Sequence, residues 1–196
     1  MRKRLKFKKL LNQFRTLSSE LDFILENNKE VNWEFEKYYR DYCDRNNIDL
    51  LSLEKKNSQK VQGVFKTKSI ITEIAEKITI KDHAHKDVYK NIARKLHPDK
   101  LPEDDPNRKQ MEEDFKKANE AVSLGNWGTL FEIAEKHDVD IKNYDQVNES
   151  IIEDIDRVKK EIHKHKNTYG WKLFDCEEEP CRENVVKGFL NYLFNI

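Results

Sequence analysis

The chain has 196 residues, of which 38% are charged, with 37 basic and 37 acidic side chains and only five glycines and four prolines. Such a composition favours exposed helices over the turn-rich pattern of a sandwich or barrel, and its length allows one modest core with helical extensions. Balanced charge leaves no global field toward nucleic acid or an anionic membrane surface, and no apolar run approaches the length that spans a bilayer.

The basic start MRKRLKFKK leads into a charged amphipathic pattern and not a signal-peptide core, so a cytoplasmic protein without membrane contact is expected. Phe7, Leu10, Phe14, Leu17, Leu21 and Ile24 then fall at steps of three and four, the seam of a long helix. Asn27, Asn28 and the stretch around Val31 and Asn32 predict a break, after which Asn32 caps a second helix carrying Trp33, Phe35, Tyr38, Tyr39 and Tyr42. That helix ends near Asn46 and Asn47. A short apolar group, Ile48, Leu50, Leu51 and Leu53, leads into EKKNSQK, read as a linker or a frayed helix end, and a boundary falls near Gly63.

Ile70, Ile71, Ile74, Ala75 and Ile78 predict a helix capped by Ser69, followed by a break at TIKD. Two longer helices come next. One runs from about His83 to Leu96 and turns Tyr89, Ile92, Ala93 and Leu96 inward. The other runs from about Asn107 to Leu124 with Met111, Phe115, Ala118 and Val122 inward. The stretch HPDKLPEDDP between them contains three prolines and cannot be helical throughout, since each proline lacks the amide donor and clashes with the preceding turn. Gly125 and Asn126 stop the second helix, and Trp127, Leu130, Phe131, Ile133 and Ala134 form a short third one.

After a connection over His137 to Lys142, Val147, Ile151, Ile155, Val158 and Ile162 give a second long seam from about Tyr144. The two seams predict an antiparallel helical hairpin around the middle domain, although pairing between two copies as a coiled-coil dimer would bury the same residues. A terminal helix should dock Val185, Val186, Phe189, Leu190 and Leu193. The expected fold is thus all-α, in three segments: a helical region over 1–62, a small helical domain over 63–142 and a long helix with a docking tail over 143–196.

VYKNIARKLHPDK followed by FKKANEA, set between two amphipathic helices, closely resembles the J-domain (DnaJ-like) co-chaperone family over about Ile70 to Ser123. The resemblance implies that a basic helix docks on a DnaK-type heat-shock chaperone while His97, Pro98 and Asp99 bias it toward ATP hydrolysis. Pro98 would fix the turn, Asp99 would offer a carboxylate to a cation on the chaperone, and His97 a directional donor and acceptor. Lys86, Lys90 and Arg94 recur every four residues as a basic stripe, which Lys95 and Lys100 extend, and such a stripe steers an acidic partner surface. The aromatic pair and Leu-Gly usual in the family's first helix are absent, and SIITEIAEKI stands in their place. With no Gly/Phe-rich linker and no repeated CxxCxGxG module, the chain resembles the stand-alone class of J-proteins. Its aromatic segments NWEFEKYYRDYC and TYGWKLF resemble flanks of J-proteins from bacteriophages and other large DNA viruses, which would place it in a host cytoplasm.

Other signals point elsewhere. His163, His165, Cys176 and Cys181 have zinc-ligand chemistry but fit no standard module, so the cysteines, with Cys43, are expected as reduced thiols and no metal or other cofactor is expected. Arg2, Lys3, Arg4, Lys6, Lys8 and Lys9 are suited to phosphates, while the balanced net charge argues for a solvated helix start. Trp33, Phe35, Tyr38, Tyr39 and Tyr42 read as core in preference to a client surface. No phosphate loop, nucleophile elbow or HExxH helix is present, so no enzyme is expected. The competing expectation is a helical assembly adaptor, with nucleoprotein as one candidate partner, without chaperone stimulation; in either case the client or assembly partner is not encoded in a motif.

Overall fold

A computed structural model describes residues 2–56 and 83–196. The expected boundary at Gly63, the cap at Ser69 and the helix through Ile78 lie outside the described residues. Those described form eight α-helices and no strand. In chain order these are α1 (Arg2–Arg45), α2 (Leu50–Lys56), α3 (His83–Leu96), α4 (Arg108–Leu124), α5 (Trp127–Lys136), α6 (Tyr144–Lys166), α7 (Tyr169–Phe174) and α8 (Glu179–Phe194). A short 3-10 turn, Pro98–Lys100, sits between α3 and α4. The chain is all-α, as its composition indicates.

α1 is one helix of 44 residues, without the break expected at Asn27 to Asn32. An asparagine inside a helix costs roughly half a kcal/mol against alanine, whereas burying one large apolar side chain contributes about 1.5–3 kcal/mol. Ile24, Val31 and Phe35 are all buried here, so packing outweighs local propensity. The asparagines are also supplied with partners other than a capped helix end. Asn27 donates to the Phe23 carbonyl at 2.7 Å, and Asn28 accepts the Trp171 indole N–H at 2.6 Å. α1 ends where expected, with Asn47 in the left-handed region at φ 57° and the Ile48 N–H returning to the Cys43 carbonyl at 2.9 Å.

The described residues pack as two compact units, each drawing on two stretches of chain: one from within 1–19 and 73–159, the other from within 20–72 and 160–196. In the first unit, Phe7, Leu11 and Phe14 of α1, Val88, Ile92 and Leu96 of α3, Leu130 and Phe131 of α5, and Val147 and Ile151 of α6 are buried. Phe7 meets Phe131 edge-on at 6.5 Å and Tyr144 at 5.5 Å. α5 comes close to its neighbours because Gly128 has no side chain. A Cβ there would lie 2.5 Å from the Phe14 ring, and the Gly128 N–H donates to the buried Asp154 carboxylate at 2.7 Å. Burial raises the Asp154 pKa, and this amide and Arg157 oppose the shift.

The antiparallel hairpin is not what forms in this unit. Lys3 pairs with Asp145 and Phe7 packs on Tyr144 at the start of both helices, and further along Phe14 meets Gly128, whose N–H binds Asp154, so contacts advance in the same direction and α1 and α6 run parallel there. An apolar seam records that a helix has a partner and carries no direction. The long stretch between α1 and α6 permits the crossover that a parallel pair requires. The second seam and Phe7, Phe14 and Ile24 of the first are buried inside one chain, with Leu10, Leu17 and Leu21 half-buried, so no second copy is needed to cover Phe7, Phe14, Val147 or Ile151.

The second unit is built around Phe35, Tyr39, Tyr42 and Cys43 of α1 against Leu173, Val186, Phe189, Leu190, Leu193 and Phe194, with Ile48, Leu50 and Leu53 packed beside them. Phe189 stands edge-on to both Phe35 (4.9 Å) and Tyr39 (5.1 Å). Most of the aromatic run is core as expected, but Trp33 is 62% exposed, with the Lys37 ammonium over its ring. EKKNSQK contributes its first three residues to α2, whose Asp49 side chain accepts from the Ser52 amide at 3.1 Å.

Cys176 and Cys181 form a disulfide across the turn from α7 to α8, with Cα atoms 5.6 Å apart, where reduced thiols are expected from the sequence. Pairing across so short a loop depends on how α7 ends and α8 begins, which cysteine counting does not reveal. Cys43 is a free buried thiol, and burial pushes its pKa up to about 11.

Two outcomes follow from this packing. Gly128→Ala should destabilise the protein by about 1–3 kcal/mol, read as a lower urea midpoint, because the methyl must displace the Phe14 ring; an unchanged midpoint would contradict the close approach. Ellman titration of the denatured chain should find one thiol without reductant and three after reduction. Three thiols at the outset would remove the disulfide.

Candidate functional site

The segment with the densest chemical content is the α3–α4 hairpin. α3 buries His85, Val88, Ile92 and Leu96 on one face. Tyr89, expected inward, is only half-buried, and its hydroxyl donates to Asn119 of α4 at 2.6 Å. On α4, Ala118 and Ala121 are buried, while Met111, Phe115 and Val122 are half-buried.

The loop is built by proline geometry. His97 is extended (φ −61°, ψ 128°), as a residue before proline prefers, and Pro98 opens the 3-10 turn at a position where its missing amide is not needed. The His97 Nδ1 accepts the Asp99 N–H at 3.3 Å, which in the neutral ring leaves the proton on Nε2. The His97 ring rests on Phe115 at 5.3 Å. Leu101 is buried, its carbonyl accepts from the Arg108 guanidinium at 3.0 Å, and Asn107 is held by Asp105 at 2.8 Å. The loop is thus anchored at both ends. Between the anchors, the Asp99 side chain is 87% exposed and the His97 side chain 43%.

The basic residues divide. Lys90 and Arg94 are exposed and Lys86 half-buried, on a face of α3 opposite His85, Val88, Ile92 and Leu96. Lys100 is exposed on the 3-10 turn. Lys95 does not extend the stripe. It lies one step around the helix from Arg94, and its ammonium donates to the His137 carbonyl at the end of α5. Lys90, Arg94 and Lys100 are thus exposed, as is Asp99 of the loop, while Lys95 braces the hairpin.

That brace includes a group the sequence reading missed. Asp114, buried on α4, accepts from Lys136 Nζ at 2.6 Å and His137 Nε2 at 2.7 Å, and from Gln110 at 3.2 Å. Burial by itself would raise its pKa, but these donors together hold it below the ordinary carboxylate value. One acid among many in a charged helix gives no sequence signal. Only its spacing four residues before Ala118, on the inward face, sets it apart.

The other candidate sets do not come together. Cys176 and Cys181 are bonded to each other, His163 contacts Asn167 at 2.8 Å and His165 contacts Asn28 at 3.2 Å. The four residues raised as zinc ligands thus have other partners, and no group of three or more metal-capable side chains occurs among the described residues.

Asp114→Asn should lower stability at pH 7 by about 1–3 kcal/mol in urea unfolding, since it removes the buried anion to which His137 and Lys136 donate. The folded pKa is depressed, so this contribution is present above the unfolded value near 3.8 and is lost as pH falls through the folded value. The gap between wild type and variant should close below that pH; equal stability at pH 7 would contradict the clamp.

No family model matches the chain, and no curated protein or solved structure matches it.

Proposed function

We propose that the protein is a J-domain co-chaperone that stimulates ATP hydrolysis by a DnaK-type chaperone. What carries this reading is the loop His97-Pro98-Asp99 between two packed amphipathic helices, with the Asp99 carboxylate almost fully exposed and, among the described residues, no lysine or arginine paired with it; the His97 ring of the same motif lies 3.7 Å away. A carboxylate that only capped a helix would be tied to backbone amides.

Lys86, Lys90 and Arg94 support the reading, because they present positive charge on the face of α3 that makes no contribution to the core. Their effect would be on encounter: a basic stripe raises the association rate with an acidic surface and loses that advantage as salt rises. Asp99 would then pair with a cation on the chaperone, and Pro98 and the His97–Asp99 hydrogen bond would hold the carboxylate in place before contact, lowering the ordering cost of binding. The hairpin does no bond chemistry in this scheme. Its role is to favour one state of the partner's ATPase cycle by differential binding.

Single-turnover ATP hydrolysis by a DnaK-type chaperone tests it. The wild-type protein should accelerate hydrolysis at least several-fold, and Asp99→Asn and His97→Gln should each lose most of that acceleration with an unchanged circular-dichroism spectrum. Stimulation that survives Asp99→Asn would overturn the proposal in favour of a helical adaptor.

A further inference from the structure

The zero net charge of the chain conceals a segregation. Seven of its 37 basic side chains precede the first acidic residue, Glu20, leaving 30 basic against 37 acidic in the remainder. Within the first unit, Arg15 is consumed by Glu132 (2.6 Å) and Glu135 (2.9 Å) of α5, and Lys3 by Asp145. Arg2, Arg4, Lys6, Lys8 and Lys9 are exposed, and none makes an ion pair among the described residues.

Arg2, Arg4 and Lys8 line a groove of about 860 Å³ with Lys3, Leu5 and Tyr144, with no acidic side chain in its lining, and Lys6 and Lys9 are exposed on the same turns of α1. Leu5 is 58% exposed, and the half-buried Tyr144 ring is seated edge-on against Phe7. A cationic groove with an aromatic platform is the combination that binds a flexible polyphosphate carrying bases: ammonium and guanidinium groups track the backbone, and a ring gives a base something to stack on. A lipid surface fits less well. A helix lying in a membrane interface needs its apolar face free, and here Phe7, Leu11 and Phe14 are committed to the core.

We propose that the opening turns of α1, with Tyr144, form a binding surface for single-stranded nucleic acid. This surface involves none of the residues of the HPD hairpin and stands whether or not the chain stimulates a chaperone. Recognition is electrostatic and independent of sequence, so it should show in its salt dependence.

The full-length protein is titrated into a fluorescein-labelled 20-nucleotide oligothymidylate and followed by anisotropy from 50 to 200 mM NaCl. Five phosphate contacts predict a log–log salt slope of about −3.5, at about 0.7 per contact for a single strand. Arg4→Gln/Lys8→Gln/Lys9→Gln should reduce the slope to about −1.4 and weaken binding at 50 mM NaCl at least tenfold, with its circular-dichroism spectrum unchanged. Lys109→Gln/Lys116→Gln/Lys117→Gln on α4 should bind as wild type does. Absence of binding at 50 mM NaCl, or equal weakening in both triple variants, would overturn the proposal. So would competition by polyglutamate as effective per charge as by unlabelled oligothymidylate, which would assign the groove to an acidic protein instead.

Discussion

Proline at positions 98, 102 and 106 denies the chain a continuous helix between Leu96 and Arg108, and the arrangement of the hairpin depends on that interruption. With α3 and α4 forced apart in sequence, their apolar faces can meet only by folding back, which buries Ile92 and Leu96 and brings Tyr89 to Asn119. Pro98 also sets His97 extended, and from that conformation its Nδ1 reaches the Asp99 amide. The same constraint that breaks the helix therefore lifts a carboxylate out of the core.

A loop held only at its own ends would be too loose to aim that carboxylate. The hairpin is braced from α5, where the end of the helix receives Lys95 from α3 at its His137 carbonyl and offers Lys136 and His137 to the buried Asp114 of α4. The clamp is costly to break on the donor side, since losing His137 or Lys136 leaves the buried Asp114 carboxylate short of a partner. The basic stripe of Lys90 and Arg94 and the bracing Lys95 occupy different faces of α3. Lys90 and Arg94 can thus meet a partner without disturbing the packing that orients Asp99.

The sequence disclosed most of this hairpin and less of what surrounds it. Periodicity placed both ends of α3 and α4 and the starts of α5 and α6 within a residue or two, because proline, glycine or asparagine gives the chain a local reason to stop or start there; Gly125, in the left-handed region at φ 65°, is one such stop. Asn27 to Asn32 misled for the complementary reason. Asn28 finds its partner in Trp171, distant in sequence, and Asn27 bonds back to the Phe23 carbonyl within the helix, so neither side chain marks an end. The direction of α6 beside α1 was equally hidden, since a seam of Val147, Ile151 and Ile155 reads the same whichever way its partner runs. At the candidate site, the proline-built loop and the stripe on α3 were legible as pattern, while the separation of Lys95 from Lys90 and Arg94 required knowing where α5 ends.

The central claim is that one face, made of the outward side of α3 and the HPD loop, is what a DnaK-type chaperone touches. Backbone amide spectra of the labelled protein, recorded as the unlabelled chaperone is added with ATP, address it directly. The account predicts that shifts and line broadening concentrate at Lys86, Lys90, Arg94 and residues 97–100 and weaken as salt is raised, leaving Asp114 and the α5 residues in place. Perturbations centred on another surface of the chain, with those residues unmoved, would contradict it.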